Sequence, residues 1–229
     1  MSEPLLVIFD MDGTLVDSQH LIVAALTATL ASEKVSVPPR KELLSVVGLS
    51  LVEAMRRLAP GDEAMHIRMA DSYKAAFNEL RVRPDYHEPL YPRTVETLQA
   101  LGARDEVVLG IATGKSVRGV DRVLDLHNLR HLFQTIQTAD SHPSKPHPSM
   151  VLTAQNETGI AANRAVVVGD TTFDMEMARS AGAKAIGVTW GYHDTGHLEP
   201  AGAQAIISDF AELAPTLEAM FGREQEAAE

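Results

Sequence analysis

Leu5-Leu6-Val7-Ile8-Phe9-Asp10-Met11-Asp12-Gly13-Thr14 sets an unbroken apolar run against two carboxylates spaced two residues apart. A run with no polar face predicts a strand buried on both sides, the condition of a central strand in a parallel sheet. Ligands of such sheets bind at the carboxyl ends of the strands. Asp10 and Asp12 therefore stand where chemistry is expected. Gly13 allows a sharp turn there, and Thr14 can hydrogen-bond back into it.

Three further segments follow the same plan, each beside its own apolar run. Val107 to Ala112 ends in Thr113-Gly114-Lys115, and Ser144-Lys145-Pro146-His147-Pro148 opens a predicted helix. Ala165-Val166-Val167-Val168-Gly169 ends in Asp170-Thr171-Thr172-Phe173-Asp174. Gly114-Lys115-Ser116 imitates the end of a nucleotide-binding P-loop. That loop needs a glycine five residues before Gly114, where Leu109 stands. In their order the four segments resemble the haloacid dehalogenase superfamily of aspartate-nucleophile phosphohydrolases, over nearly the full chain. The resemblance is closest to the phosphoglycolate phosphatase-like branch with a helical cap, and extends to Gly187-Val188-Thr189-Trp190-Gly191-Tyr192.

The rest of the chain divides accordingly. From Ser18 to Arg83 the pattern reads as helix: Leu21, Ala24, Ala25 and Ala28 share a face widened by Ile22, Leu26 and Leu30, with Ser18 as N-cap. Helical stretches are predicted at 41–47, 51–59 and 62–80, the last with Met65, Met69, Tyr73, Ala76 and Leu80 along one face. After Pro84, Pro89 and Pro92, strands and helices alternate, as parallel βα units do. The expected fold is α/β: a Rossmann-like parallel sheet core with helices on both faces, from residues 1–16 and 84–229, and an inserted all-helical cap domain at 17–83. The Glu-rich tail from Glu224 to Glu229 is expected to fray.

The resemblance implies a role for each segment. Asp10 is the nucleophile that forms an aspartyl-phosphate, and Asp12 the acid that protonates the leaving group and then the base that activates water. Thr113 and the amides after it hold phosphoryl oxygens, and Lys145 sets a fixed positive charge on the same group. Mg2+ is the implied cofactor, held by the Asp10 and Asp170 side chains and the Asp12 carbonyl. Asp174 is left with three roles: ligand through water, partner of Lys145, or helix cap. Gly114, Lys115 and Arg56 are the candidate substrate-binding residues. Lys115 and Arg56 also have the plainer reading of solvated cations.

Composition narrows the partners. The formal net charge is −11, which disfavours nucleic acid and anionic membrane surfaces. An acidic protein that binds phosphate needs a local cation, a physical reason to expect a divalent metal. With no cysteine in the chain, disulfides, thiolate metal sites and a cysteine nucleophile are excluded. The short apolar N-terminal run lacks a basic leader, so a cytoplasmic enzyme is expected, as monomer or dimer. The histidines show no metal-ligand spacing.

Within the family, Asp12 points to phosphatases, because a halide leaves without a proton. Mutases of sugar phosphates carry a histidine twelve residues after the nucleophile, and Ile22 stands there. The expected substrate is a small phosphomonoester, 2-phosphoglycolate first, with a sugar phosphate or pyrophosphate as alternatives. A β-phosphoglucomutase-like mutase and a non-catalytic phosphoacceptor module are the remaining readings. The family's usual glycine after Tyr91-Pro92 is Arg93 here, which puts the local backbone in question.

Overall fold

Strand β1, Leu5–Phe9, is buried along its whole length because parallel strands flank it on both sides. A computed structural model describes residues 3–222, and the Glu-rich tail lies outside the described residues. Strand β2 (Val107–Thr113) pairs with one edge of β1 and β4 (Ala165–Gly169) with the other. With β3 (Phe133–Thr138), β5 (Lys184–Val188) and β6 (Ala205–Ile207), the sheet order is β3-β2-β1-β4-β5-β6, every pair parallel. The chain first builds outward to β3 and then returns to the far flank of β1. That reversal opens a crevice at the carboxyl ends of β1 and β4, the place where open α/β sheets bind ligands.

The period of two along β1 sorts the helices into layers. Leu5, Val7 and Phe9 pack with α5 (Thr94–Gly102), α6 (Val117–Leu126) and α10 (Leu213–Phe221). Leu6 and Ile8 pack on the opposite face with α7 (Ser149–Thr158), α8 (Thr172–Ser180) and α9 (Leu198–Ala201). The core has helices on both faces, as the sequence predicts.

Between β1 and α5 lie four helices: α1 (Gln19–Ser32), α2 (Arg40–Leu44), α3 (Leu51–Leu58) and α4 (Glu63–Leu80). They share an apolar cluster of their own, with Leu26, Leu30, Met55, Met69 and Tyr73 among its members, and Phe173 of α8 joins it from the core. The buried face of α1 is rotated from the expected one. Ala28 is exposed, and Thr29 is buried with its hydroxyl donated to the Ala25 carbonyl at 2.8 Å. Helix α2 ends at Leu44 rather than Val47, and the chain then turns through Gly48 at φ +96°.

The two connections to the insertion run side by side. Asp17 N donates to Pro89 O at 2.8 Å, Tyr91 N donates to Leu15 O at 3.0 Å, and Val16 bridges Leu90 in antiparallel fashion. Arg93 follows at φ +64°, in the left-handed region that favours glycine. The substitution thus leaves the glycine-like backbone in place and strains the side chain instead. Among the described residues, no helix is long and apolar enough to cross a membrane.

Candidate active site

Asp10 leaves the end of β1 with its carboxylate 1% exposed, and Lys145, from the loop before α7, reaches it with Nζ 2.8 Å from Oδ1. The same ammonium donates to Asp174 Oδ1 at 2.6 Å. Asp174 Oδ2 accepts from Thr171 N at 3.1 Å and Thr171 Oγ1 at 2.6 Å, closing a capping box at the start of α8. Of its three open roles, Asp174 thus fills two at once: it orients Lys145 and caps the helix. Burial opposes the charge on Lys145, but Asp10 and Asp174 outweigh it and hold its pKa above the ordinary lysine range.

Asp170, at the end of β4, is fully buried. Its Oδ1 accepts from Thr14 Oγ1 at 3.0 Å and its Oδ2 from Tyr192 N at 2.8 Å. A side chain on Gly13 or Gly191 would collide with this carboxylate, its added carbon falling 2.3 Å and 2.0 Å from Asp170 atoms. Two glycines therefore let two backbones close around one acid. Burial and the charges of Asp10 and Asp174 push the Asp170 carboxyl well above its usual range. Burial, opposed by Lys145 and reinforced by Asp174, pushes Asp10 up as well.

These groups fit a divalent cation. Asp10, Asp170 and Asp174 each offer an oxygen within 4.8 Å of the others, and Asp10 Oδ2 is buried without a partner while Oδ1 meets only the Lys145 ammonium. Three carboxylates face a single lysine, an imbalance that a hard cation with oxygen ligands corrects. Because Asp174 already serves Lys145 and Thr171, Asp10 and Asp170 are the better direct ligands. No histidine belongs to this group.

Asp12 sits just above, outside the acidic cluster. Its Oδ1 accepts from Ser18 Oγ at 2.6 Å and lies 2.9 Å from Lys115 Nζ. Ser18 is at the N-cap position of α1 but makes no side-chain cap bond, and its hydroxyl instead donates a charge-assisted bond to the Asp12 carboxylate. The Ser18 backbone amide donates to Tyr192 Oη at 2.9 Å, so one tyrosine ties Asp170, through its own amide, to the segment that holds Asp12. Lys115 also meets Glu88 Oε1 at 3.1 Å, and Arg122 pairs with the other oxygen of Glu88. Lys115 is thus a buried ion-pair partner rather than a solvated cation.

Thr113 is buried at the end of β2, its hydroxyl accepting from Lys115 N at 3.2 Å. Ser116, not Thr113, caps α6 by accepting from Gly119 N at 3.3 Å. Gly114 lies against the insertion: an added Cβ would fall 2.7 Å from Leu49 O and 2.8 Å from Gly48 O. Thr113, Gly114 and Lys115 line a cavity of about 570 Å³ that reaches from Asp10 and Asp12 to α1, α3 and α4. Arg56 does not line it. It is exposed on α3 and pairs with Glu53 and with Glu63 at 2.6 Å, so the structure places it apart from the other candidates. Ile22 lines the cavity, whereas His20 is exposed.

Ser18, Glu88 and Arg122 escape sequence reasoning as site residues, and Tyr192 enters it only as the end of a resembling segment, because nothing local marks a polar residue whose partner is 6 to 174 positions away. The signal present was the pair of linkers, which carry Ser18 and Glu88.

Comparison with known proteins gives the family. The family model described as haloacid dehalogenase-like hydrolase matches residues 7–188. The chain is 36% identical over 212 residues to a protein named probable phosphatase IndB from Dickeya dadantii, covering 91% of each. It is 32% identical to pyrophosphatase PpaX from Bacillus pumilus, covering 80% of this chain and 82% of the relative. Among solved structures, a predicted phosphatase from Clostridium acetobutylicum superposes with a TM-score of 0.84 at 25% identity, covering 94% of this chain and 99% of that one. The chain belongs to the haloacid dehalogenase-like hydrolase family, and within it to the enzymes that act on phosphate esters.

Proposed function

We propose that the chain is a magnesium-dependent phosphatase that hydrolyses a phosphomonoester through an aspartyl-phosphate on Asp10. The observation that carries this reading is the convergence of Asp10, Lys145 and Asp170 at the sheet's reversal, with Asp12 above them. A bound magnesium would supply charge neutralisation to the phosphate and to Asp10, with Asp170 and the Asp12 carbonyl as its further ligands.

Asp10 attacks phosphorus, and the bond to the leaving oxygen breaks as Asp12 delivers its proton to that oxygen. Lys145, fixed by Asp174, and Thr113 with the following amides hold the phosphoryl oxygens as charge moves. Asp12, now ionised and held by Ser18 and Lys115, then takes a proton from water, whose oxygen attacks phosphorus and frees Asp10 and inorganic phosphate. The helical insertion, residues 17–83, acts as a cap over this site, with Val16 to Ser18 and Pro84 to Pro92 as its paired linkers, a reading supported by the bonds that join Leu15 and Asp17 to Tyr91 and Pro89.

2-Phosphoglycolate, favoured by resemblance, and pyrophosphate, named for the Bacillus relative, head the substrates to be screened. The test measures phosphate release from pyrophosphate and a panel of phosphomonoesters with Mg2+, with chelator, and with Asp10→Asn. Turnover that needs Mg2+ and disappears in Asp10→Asn supports the reading. Undiminished turnover in chelator, or in Asp10→Asn, overturns it.

A further inference from the structure

The cavity beside Asp10 offers more space and more apolar wall than a two-carbon acid fills. 2-Phosphoglycolate has nine non-hydrogen atoms. Even at the ~30 Å³ share of a liquid water molecule each, they would fill only about 270 Å³. The cavity holds about 570 Å³, inside the roughly 300–1,000 Å³ range of pockets that enclose much larger ligands.

Its walls are unevenly built. Tyr73, within reach of the Asp12 charge, lines the cavity from α4, with Phe77 one turn along and Arg81 at the C-cap. Lys115 Nζ, 2.9 Å from Asp12, lies 5.3 Å from the centre of the Phe77 ring, which places this stripe beside the reacting end. Eight residues of helix separate Tyr73 from Arg81, about 12 Å at ~1.5 Å per residue. Ile22, Leu26 and Val47 face the cavity from the rest of the insertion.

The cations along this path differ in their partners. Lys115 and Arg122 are neutralised by Asp12 and Glu88. Half-buried Arg81 and the exposed Arg118 also line the cavity, and neither has an ion-pair partner among the described residues. Arg81 Nε is buried without a hydrogen-bond partner. In a chain of net charge −11, two unmatched guanidinium groups at one cavity mark a place for a negative group.

Resting on the phosphatase reading above, we propose that the preferred substrate is a phosphomonoester whose leaving alcohol carries a ring-sized apolar body and ends in an anionic group. The phosphate lies at Asp10, the body against Tyr73 and Phe77, and the far anion at Arg81 and Arg118.

The test compares kcat/KM for 2-phosphoglycolate, benzyl phosphate, (biphenyl-4-yl)methyl phosphate and its 4′-carboxy derivative. The arylmethyl esters share a primary-alcohol leaving group, so their differences report on the body and the far anion. Either uncharged arylmethyl ester should exceed 2-phosphoglycolate by about tenfold, and the carboxylate should add about tenfold more, the worth of one charge-assisted contact. Arg81→Met should bring the gain from the carboxylate below about threefold, and Arg118→Met should reduce it in the same direction. Arg68→Met, on the same helix but paired with Glu33 at 3.8 Å, should keep it. Equal or better turnover of 2-phosphoglycolate, or a carboxylate gain that survives both arginine variants, overturns the proposal while leaving the phosphatase reading intact. Absence of magnesium-dependent turnover on every ester would overturn both.

Discussion

Lys115 Nζ lies 2.9 Å from Asp12 Oδ1 and 3.1 Å from Glu88 Oε1, so a single lysine joins the proposed acid to the linker that returns from the helical insertion. Burial works against its charge, and Asp12 and Glu88 overcome that to raise its pKa above the ordinary lysine value. Lys115→Met would leave Glu88 with Arg122 alone and Asp12 with only the Ser18 hydroxyl. Breaking a buried pair from one side costs roughly 3–5 kcal/mol. The side chains of Lys115 and Asp12 are still 8% and 13% exposed, so the low end, about 3 kcal/mol, is expected. Urea denaturation of the metal-free protein measures it, and a loss under about 1 kcal/mol would show that the pair is solvated in practice.

Asp170 and Asp174 should separate in their effects on metal and rate. Asp170→Asn removes a proposed ligand, so the Mg2+ affinity measured by calorimetry should fall by at least about tenfold. Asp174→Asn loosens Lys145 and removes the carboxylate half of the capping box, so kcat should fall and stability drop by about 1 kcal/mol. An equal loss of Mg2+ affinity in both variants would make Asp174 a direct ligand.

Asp12→Asn should slow hydrolysis of esters with poor leaving groups by roughly 10² to 10⁴, the usual worth of a positioned acid. Esters with good leaving groups need less protonation and should lose less in the first step. The slope of log kcat/KM against leaving-group pKa reads this directly. An unchanged slope would remove Asp12 from leaving-group departure.

His193 clamps the insertion to the core. Its Nδ1 accepts from Thr172 N at 3.3 Å, so the proton sits on Nε2, which donates to Ser45 O at 3.1 Å. Burial, opposed by Asp174, lowers its pKa below the unfolded value of about 6.5. With the folded pKa below the unfolded one, the contribution is complete above about pH 6.5 and is lost as pH falls through the folded value. The Tm advantage of the wild type over His193→Gln should therefore shrink between pH 7.5 and 5. A constant advantage would show that His193 does not titrate in that clamp.

Arg93 at φ +64° occupies a conformation that costs an ordinary side chain roughly 1–2 kcal/mol. Glycine removes that cost but loses roughly 0.5–1 kcal/mol in chain entropy. The exposed pair with Asp209, at 3.6 Å, adds little. Arg93→Gly should raise the Tm slightly, and Arg93→Val, a β-branched residue at positive φ, should lower it. The reverse order would contradict the assigned backbone.

The apolar runs at Leu5–Phe9, Val107–Thr113 and Ala165–Gly169 determine the parallel sheet from sequence alone, because a strand buried on both faces has no polar positions to show. The same runs locate Asp10, Thr113 and Asp170, since strand ends are where such sheets expose their chemistry. Lys145 was visible only through its place in the order of motifs. Arg56 and Lys115 show where local reading stops: one is a cation in the last turn of α3, the other a cation just before α6, and nothing in their neighbours says which is buried. Tertiary structure decided that Lys115 turns inward between Asp12 and Glu88 while Arg56 stays outside with Glu53 and Glu63. It also decided that Ser18 serves Asp12 instead of its own helix, and that Tyr192 joins Asp170 to Ser18. Hydrophobic periodicity is a local property written in neighbouring residues, whereas a buried charge finds its partner only after the two linkers and the sheet have brought distant segments together.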